Sequence, residues 1–443
     1  MTFFFQPPAA VVGLYRRVTS SLWFTPALYV LGGVVLVSLI VEFGPHLPES
    51  ALQLFPLSDS VTVKGALQLL ASSTLTVATV TFSILMVVLT MTASNFSPRA
   101  LSGFMRDRVD QNTLGMFLGA FAFGVGGILL LRPEPASYDQ RFLGLLLLIT
   151  SIVAYLVLYA LVYFIHHTAT AVQITNLVLR LYGEADNALA RFLNYAESEK
   201  GQSKVPAALP TEPPGAVDAQ AAGYIQVLDR DRVFRLAVTH DLVVRVPRHA
   251  GDFATRGIAL CEVWPSTKLT PELADEFRSA YAVGAQRTSE RDPLLGMELL
   301  AEIAVRALSP GINDPNTAVN CLDFIGDLLV RMAVHELPRP EMHDDEGRLR
   351  VVFATPDFRD FLERSLLGIA GAGAGHARVV LTLLRVLRDV ASVTQDRARC
   401  STIETAARAI ADRALQELAF ERQREQIHEA MEKIDAVWAE PYG

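Results

Sequence analysis

Cysteine is scarce and scattered in this chain. Cys261, Cys321 and Cys400 are the only three among 443 residues, and no pair stands in C-x-x-C spacing. That excludes a disulfide framework and a zinc knuckle, and it suits a reducing compartment. Charge is also thin: 19% of residues are charged, for a formal net charge of -8. No basic stripe stands out to neutralise phosphates along a duplex, so nucleic acid is not an expected partner. The standard catalytic spacings G-x-x-x-x-G-K-[ST], H-E-x-x-H and G-x-S-x-G are missing, as is an EF-hand loop. The sequence therefore names no catalytic residue, no metal ligand set and no cofactor.

What is present is apolar sequence. Hydrophobic residues make up 51% of the chain, and they concentrate before His166. Four runs there are long enough to cross a bilayer, which takes ~20 residues of helix. They predict transmembrane helices over about 22–41, 65–94, 113–131 and 142–165. Arg16 and Arg17 precede the first run, which is too long for a signal peptide and lacks a small-residue cleavage site. The third run carries Gly115 and Gly119 in a small-xxx-small spacing that lets two helix backbones approach closely. Arg16, Arg17, Arg99, Arg106 and Arg108 gather on one side of these spans. By the positive-inside rule both termini are expected in the cytoplasm.

The second run is unusual. From Gly65 to Ser97 it holds no charge but many hydroxyls. At about 100° per residue, Ser72, Thr76, Thr79, Ser83, Thr90 and Ser94 fall within an arc of roughly 60°. Thr74, Thr81 and Thr92 fall on the opposite face. Hydrocarbon does not satisfy hydroxyls, so the stripe is expected to face other helices or water. Two uses stay open: packing between helices, or lining a pore with Arg99 as the charge at its inner mouth.

After the spans the pattern changes. Helical periodicity continues over 167–196, and a Pro-, Gly- and Ser-rich stretch over 197–220 reads as a linker. Short β-branched runs (YIQVLD, LVVRVP, IALCEVWP) predict a small β-module over 221–268. Residues 269–443 then read as a mostly helical domain, with one strand at RLRVVFA and an acidic turn at HDDEG. PELADEFRSAYAVGA reads as a helix in this domain, as does the segment from Asp292 to Leu308. The latter ends in the corner Ser309-Pro310-Gly311-Ile312-Asn313-Asp314-Pro315, where Asp314 is placed as N-cap and Pro315 as the first residue of the next helix. Arg306, Ser309, Asn313, Asp314, Thr317 and Asp323 form the polar constellation there. It fits a structural corner of caps and ion pairs, or a ligand or subunit contact.

Two motifs carry a resemblance. TFSILMVVLTMTASNFSPR (Thr81 to Arg99, followed by LGMFLGAF) and RALSPGINDPNTAVNCLD (Arg306 to Asp323) are similar, in the same order, to those of a bacterial family of predicted membrane proteins, domain of unknown function 2254. The resemblance extends over nearly the whole chain. It implies a bacterial inner-membrane protein with a helical bundle and a cytoplasmic domain, and it implies no activity. The expected fold is an α-helical integral membrane domain of four transmembrane helices plus a cytoplasmic α+β, mostly helical domain with a small β-module. The expected partners are the lipid bilayer and further copies of the chain, with ions or a small ligand. One functional reading is a homo-oligomeric channel or pore lined by the second helix. The other is a membrane-anchored ligand-binding or sensor domain without a pore.

Overall fold

The computed structural model describes residues 23–48, 52, 55–95, 108–131, 138–171, 174–198, 208–289 and 291–439. They form two compact units, one within Leu14–Gln173 and the other chiefly Ile174–Gly443.

The first unit is four helices: α1 (Phe24–Phe43), α2 (Ser60–Asn95), α3 (Arg108–Leu130) and α4 (Gln140–Ala171). All four are long and apolar enough to cross a membrane. The outward faces of α1 and α4 are as apolar as their packed ones: Leu28, Leu31, Leu39, Tyr155, Leu158 and Val162 are all exposed, a surface that suits lipid and not water. Helix α3 is the centre of the unit and packs against the other three. Glycine permits this, because a methyl group at Gly119 would stand 2.7 Å from the Tyr29 carbonyl oxygen of α1. The expected close approach at Gly115 and Gly119 is therefore made against α1. Helix α3 starts earlier than its apolar run does. Its first turn holds Asp110, a negative charge that suits a helix N-terminus, and Thr25 donates to Gln111 Oε1 at 3.1 Å.

The second unit opens with α5 (Ile174–Ser198) and continues through β1 (Gly215–Asp218), β2 (Gly223–Leu228), α6 (Arg230–Thr239), β3 (Val243–Val246), β4 (Phe253–Ala254) and β5 (Ala259–Trp264). Next come α7 (Pro271–Arg278), β6 (Tyr281–Gly284), α8 (Pro293–Ala307), α9 (Pro315–Ala333), β7 (Glu341–His343) and β8 (Leu349–Phe353). Helices α10 (Phe358–Gly373), α11 (Ala377–Val393), α12 (Arg397–Glu417) and α13 (Glu421–Ala439) complete it.

The strands make a five-stranded sheet in the order β1-β5-β3-β8-β7 and a three-stranded sheet in the order β4-β2-β6. All pairs are antiparallel except β3 with β8, where Val244 faces Val351. Inward-facing Val217, Ile225, Val244, Val263, Phe277 and Phe353 are buried in one core. The sheets thus take strands from outside the 221–268 stretch. β1 lies in sequence read as linker, and the β7–β8 hairpin arrives about a hundred residues after β3. YAVG, read from sequence as the end of a helix, is β6. Helix α7 stops at Arg278, and Tyr281 pairs with Leu228 across the sheet edge.

The remaining helices pack on one another, α8 between α5, α9 and α10, and α11 between α9, α12 and α13. The predicted stripe Leu295, Leu299, Ile303 and Leu308 is buried throughout.

Candidate functional site

On α2 the burial pattern separates two faces. Val63, Leu67, Leu70, Thr74, Ala78, Thr81 and Leu85 are buried, and all lie on one side of the helix by its 100° step. Ser72, Thr76, Thr79, Ser83 and Thr90 are exposed on the opposite side. Among the described residues, these five hydroxyls are therefore not used for packing inside the four-helix unit. Each hydroxyl closes onto its own helix: Thr76 donates to the Ser72 carbonyl at 3.0 Å, Thr79 to Leu75 at 2.9 Å, Ser83 to Thr79 at 2.9 Å and Thr90 to Met86 at 2.8 Å. Ser72 reaches the Leu69 carbonyl at 3.2 Å. Such bonds use the hydroxyl hydrogen and leave each oxygen its two lone pairs, a line of acceptors on an otherwise apolar surface. The side chain of Ser94 and all of Arg99, the other two members of the predicted conduit, lie outside the described residues.

The Ser309–Pro315 corner joins α8 to α9. Both helices open on Asp-Pro. Asp292 Oδ1 accepts from the amides of Leu294 and Leu295, each at 3.2 Å, and Asp314 Oδ1 accepts from those of Asn316 at 3.1 Å and Thr317 at 3.2 Å. Asp314 Oδ2 takes the Thr317 hydroxyl at 2.6 Å. The Thr317 hydroxyl, then the two amides, hold the Asp314 carboxyl below its ordinary range, while partial burial works the other way. Asn313 has φ 49°, the left-handed geometry that asparagine tolerates, and its amide reaches back to the Ser309 carbonyl at 2.9 Å. Asp323 is exposed one face away and pairs with Arg385 of α11. Arg306 sits half-buried in the last turn of α8. The bonds observed at this corner are those of a helix cap.

Two buried charge networks sit elsewhere in the second unit. Arg287 bridges Asp292 (2.7 Å) and Glu298, and Arg364 also reaches Glu298 at 3.2 Å. The acidic turn read as HDDEG is tied by Arg350 and Arg348, which contact Asp344 at 2.8 and 2.9 Å. Burial would raise the Asp344 carboxyl, but the Arg348 amide and the two guanidiniums outweigh it and hold it well below the usual range. Asp344 is thus engaged by two arginines. Among the described residues no group of three His, Cys, Asp or Glu is placed to hold a metal.

A concave surface lies between α11 and α13. Ala377, Arg378, Leu381, Thr382 and Arg385 line one wall and Gln423 and Gln426 the other, around about 440 Å³. A second pocket of about 280 Å³ shares Leu381, Arg385 and Gln426 with the first and is also lined by Arg388, Glu429 and Lys433. The sequence reading missed this groove. Its signal was the placement of Arg378, Arg385 and Arg388 on one helical face, a pattern that usually marks a solvated surface.

Comparison with known proteins yields a family and no activity. A family model described as predicted membrane protein (DUF2254) matches residues 19–389. Two uncharacterized proteins, one of Mycobacterium tuberculosis and one of Mycobacterium bovis, are each 27% identical over 389 residues, which is 85% of this chain and 73% of the relative. No solved structure matches.

Proposed function

This chain belongs to the predicted membrane protein family DUF2254, and from that premise we propose that it works as a homo-oligomeric conduit in the bacterial inner membrane. Helix α2 lines the path, and the second unit assembles or gates it. The observation that carries the reading is the outward hydroxyl face of α2, opposite the face that packs within the protomer. A row of lone pairs along a membrane-length helix is poorly matched to hydrocarbon and well matched to water or to a neighbouring subunit. Closed symmetric assemblies bring one such face from each copy around an axis. A path lined by hydroxyls, with no acid or lysine along it, passes small ions with weak selectivity. Reconstitution into planar bilayers tests this. The reading requires conductance that changes when Thr79 or Ser83 is replaced by a bulky residue, and silent bilayers together with a monomeric mass overturn it.

A second reading, an anchored ligand-binding module without a pore, is favoured by the polar groove between α11 and α13. The capping role of Asp314 and Thr317 makes the groove a better ligand candidate than the corner, because its side-chain donors are less committed to partners.

A further inference from the structure

The groove between α11 and α13 is lined by two helical ridges. On α11, Arg378, Thr382, Arg385 and Arg388 recur at spacings of four, three and three, which stacks them on one face. From Arg378 to Arg388 this ridge runs about 15 Å at ~1.5 Å per residue. The opposite ridge on α13 presents Gln423, Gln426, Glu429 and Lys433. The wider part of the groove, about 440 Å³, is a shallow depression open to solvent.

The charges of this groove are unevenly compensated. Arg385 pairs with Asp323 and Asp389, and Arg388 pairs with Asp389. Arg378 donates only to the neutral side-chain amide of Asn316, and among the described residues it forms no ion pair. Lys433 forms none either, among the same residues. A guanidinium has five N–H donors and an ammonium three, so most of the donor capacity of these two groups remains for a ligand. Arg378 and Lys433 thus form no ion pair among the described residues, with Glu429 the one acid among the groove's lining residues, in a chain whose formal net charge is -8. A forked guanidinium at one end and a point charge at the other match phosphate oxygens on a small, elongated anion.

We propose that the α11–α13 groove binds a small anion carrying two or more phosphate groups, held by Arg378 toward one end and Lys433 toward the other. Two sources share this chemistry, inorganic pyrophosphate and a nucleoside polyphosphate. The proposal rests on the groove alone and stands whether or not α2 lines a conduit.

The test is thermal melting of the full chain in detergent with pyrophosphate, ATP or citrate at equal ionic strength, with equilibrium dialysis of labelled pyrophosphate and ATP alongside. Pyrophosphate, ATP or both should raise Tm by about 2–4 °C at saturating concentration, and citrate should not. Arg378→Glu combined with Lys433→Glu should leave the unliganded Tm in place, since both side chains are exposed, and should abolish the shift and the dialysis signal. A pyrophosphate response alone assigns the site to the inorganic anion, and an ATP response alone assigns it to the nucleotide. Should the double variant melt differently without ligand, dialysis decides. No binding of either probe, binding that survives the double substitution, or an equal response to citrate overturns the proposal. None of these outcomes reads conductance, so failure here leaves the conduit reading untouched.

Discussion

Thr81 and Ser83 stand two residues apart on α2 and face opposite sides of it. Thr81 is 3% exposed against the four-helix unit, whereas Ser83 is exposed and donates its hydroxyl to the Thr79 carbonyl at 2.9 Å. Two residues are about 200° on a helix, so one segment serves both an inner and an outer surface. The difference sets up a paired experiment. Thr81→Trp overfills a packed site and should lower the yield and melting temperature of the purified protein, by about 1–3 kcal/mol in stability. Ser83→Trp should leave the melting of a protomer unchanged, and its effect should appear in conductance and in the mass of the assembly.

Gly119 against Tyr29 is a close fit between α1 and α3 that a single substitution can probe. A methyl group at Gly119 meets the Tyr29 carbonyl oxygen at 2.7 Å, where backbone has little room to yield. Gly119→Leu should force the helices apart and cost about 1–3 kcal/mol or more, read as lost folded material in detergent. Gly32 has no neighbour within 4 Å of the same added atom, so Gly32→Ala should be neutral and serves as the control.

Removing a cap tests the corner. Asp314→Ala deletes the acceptor for two amides and one hydroxyl, and should lower stability by about 1 kcal/mol, within a usual range of 0.5–2. The carboxyl is held below its ordinary value in the folded chain, so the charged form favours folding. Its contribution is complete above the ordinary aspartate pKa of ~3.9 and is lost as pH falls through the lower folded value. The gap between wild-type and Asp314→Ala melting curves should therefore close in acid. A gap that stayed constant would show that the carboxylate charge is not what caps α9.

Arg287 holds a carboxylate that has nowhere else to go. The Asp292 side chain is 2% exposed, so Arg287→Ala would strand a buried charge, at a cost of about 3–5 kcal/mol. Adding Asp292→Asn removes the charge while keeping an N-cap side chain, and should recover part of the loss. Trp264 is buried in the five-stranded sheet, with its indole N–H on the Glu212 carbonyl at 2.6 Å. Denaturant curves followed by tryptophan fluorescence in a Trp23→Phe, Trp438→Phe background therefore report this unit.

Much of this architecture was legible because it rests on local chemistry. Uncharged runs of membrane length marked the four long apolar helices, and a helix read from Asp292 and the Asp-Pro at 314–315 marked two helix starts that the structure places at Pro293 and Pro315. YIQVLD, LVVRVP, IALCEVWP and RLRVVFA all hold strands. What stayed hidden depends on distant pairing. Nothing near Val244 announces Val351 as its neighbour, and YAVG becomes a strand because β2 offers it an edge. The polar segment RDRVFRLAVT gave little hydrophobic signal, yet it folds as α6 behind the Asp229 cap. On α2 the 100° arithmetic found the stripe, but Thr74 and Thr81 blurred it. Packing resolves them, since Leu67, Leu70 and Ala78 put that side inward. The groove was illegible for a similar reason, as Arg378 and Lys433, 55 positions apart in sequence, line adjoining hollows from two different helices.

The central claim is that the hydroxyl face of α2 meets its counterpart in a second copy, and cysteine cross-linking in native membranes reads this directly. In a Cys400→Ser background the other two native thiols, Cys261 and Cys321, are buried, so an introduced thiol dominates the reaction. Ser83→Cys should form disulfide-linked dimers under mild oxidation, and Thr81→Cys, on the packed face, should not. If Ser83→Cys stays monomeric under oxidation and unreactive to maleimide, the face meets neither a second copy nor water, and the conduit is contradicted.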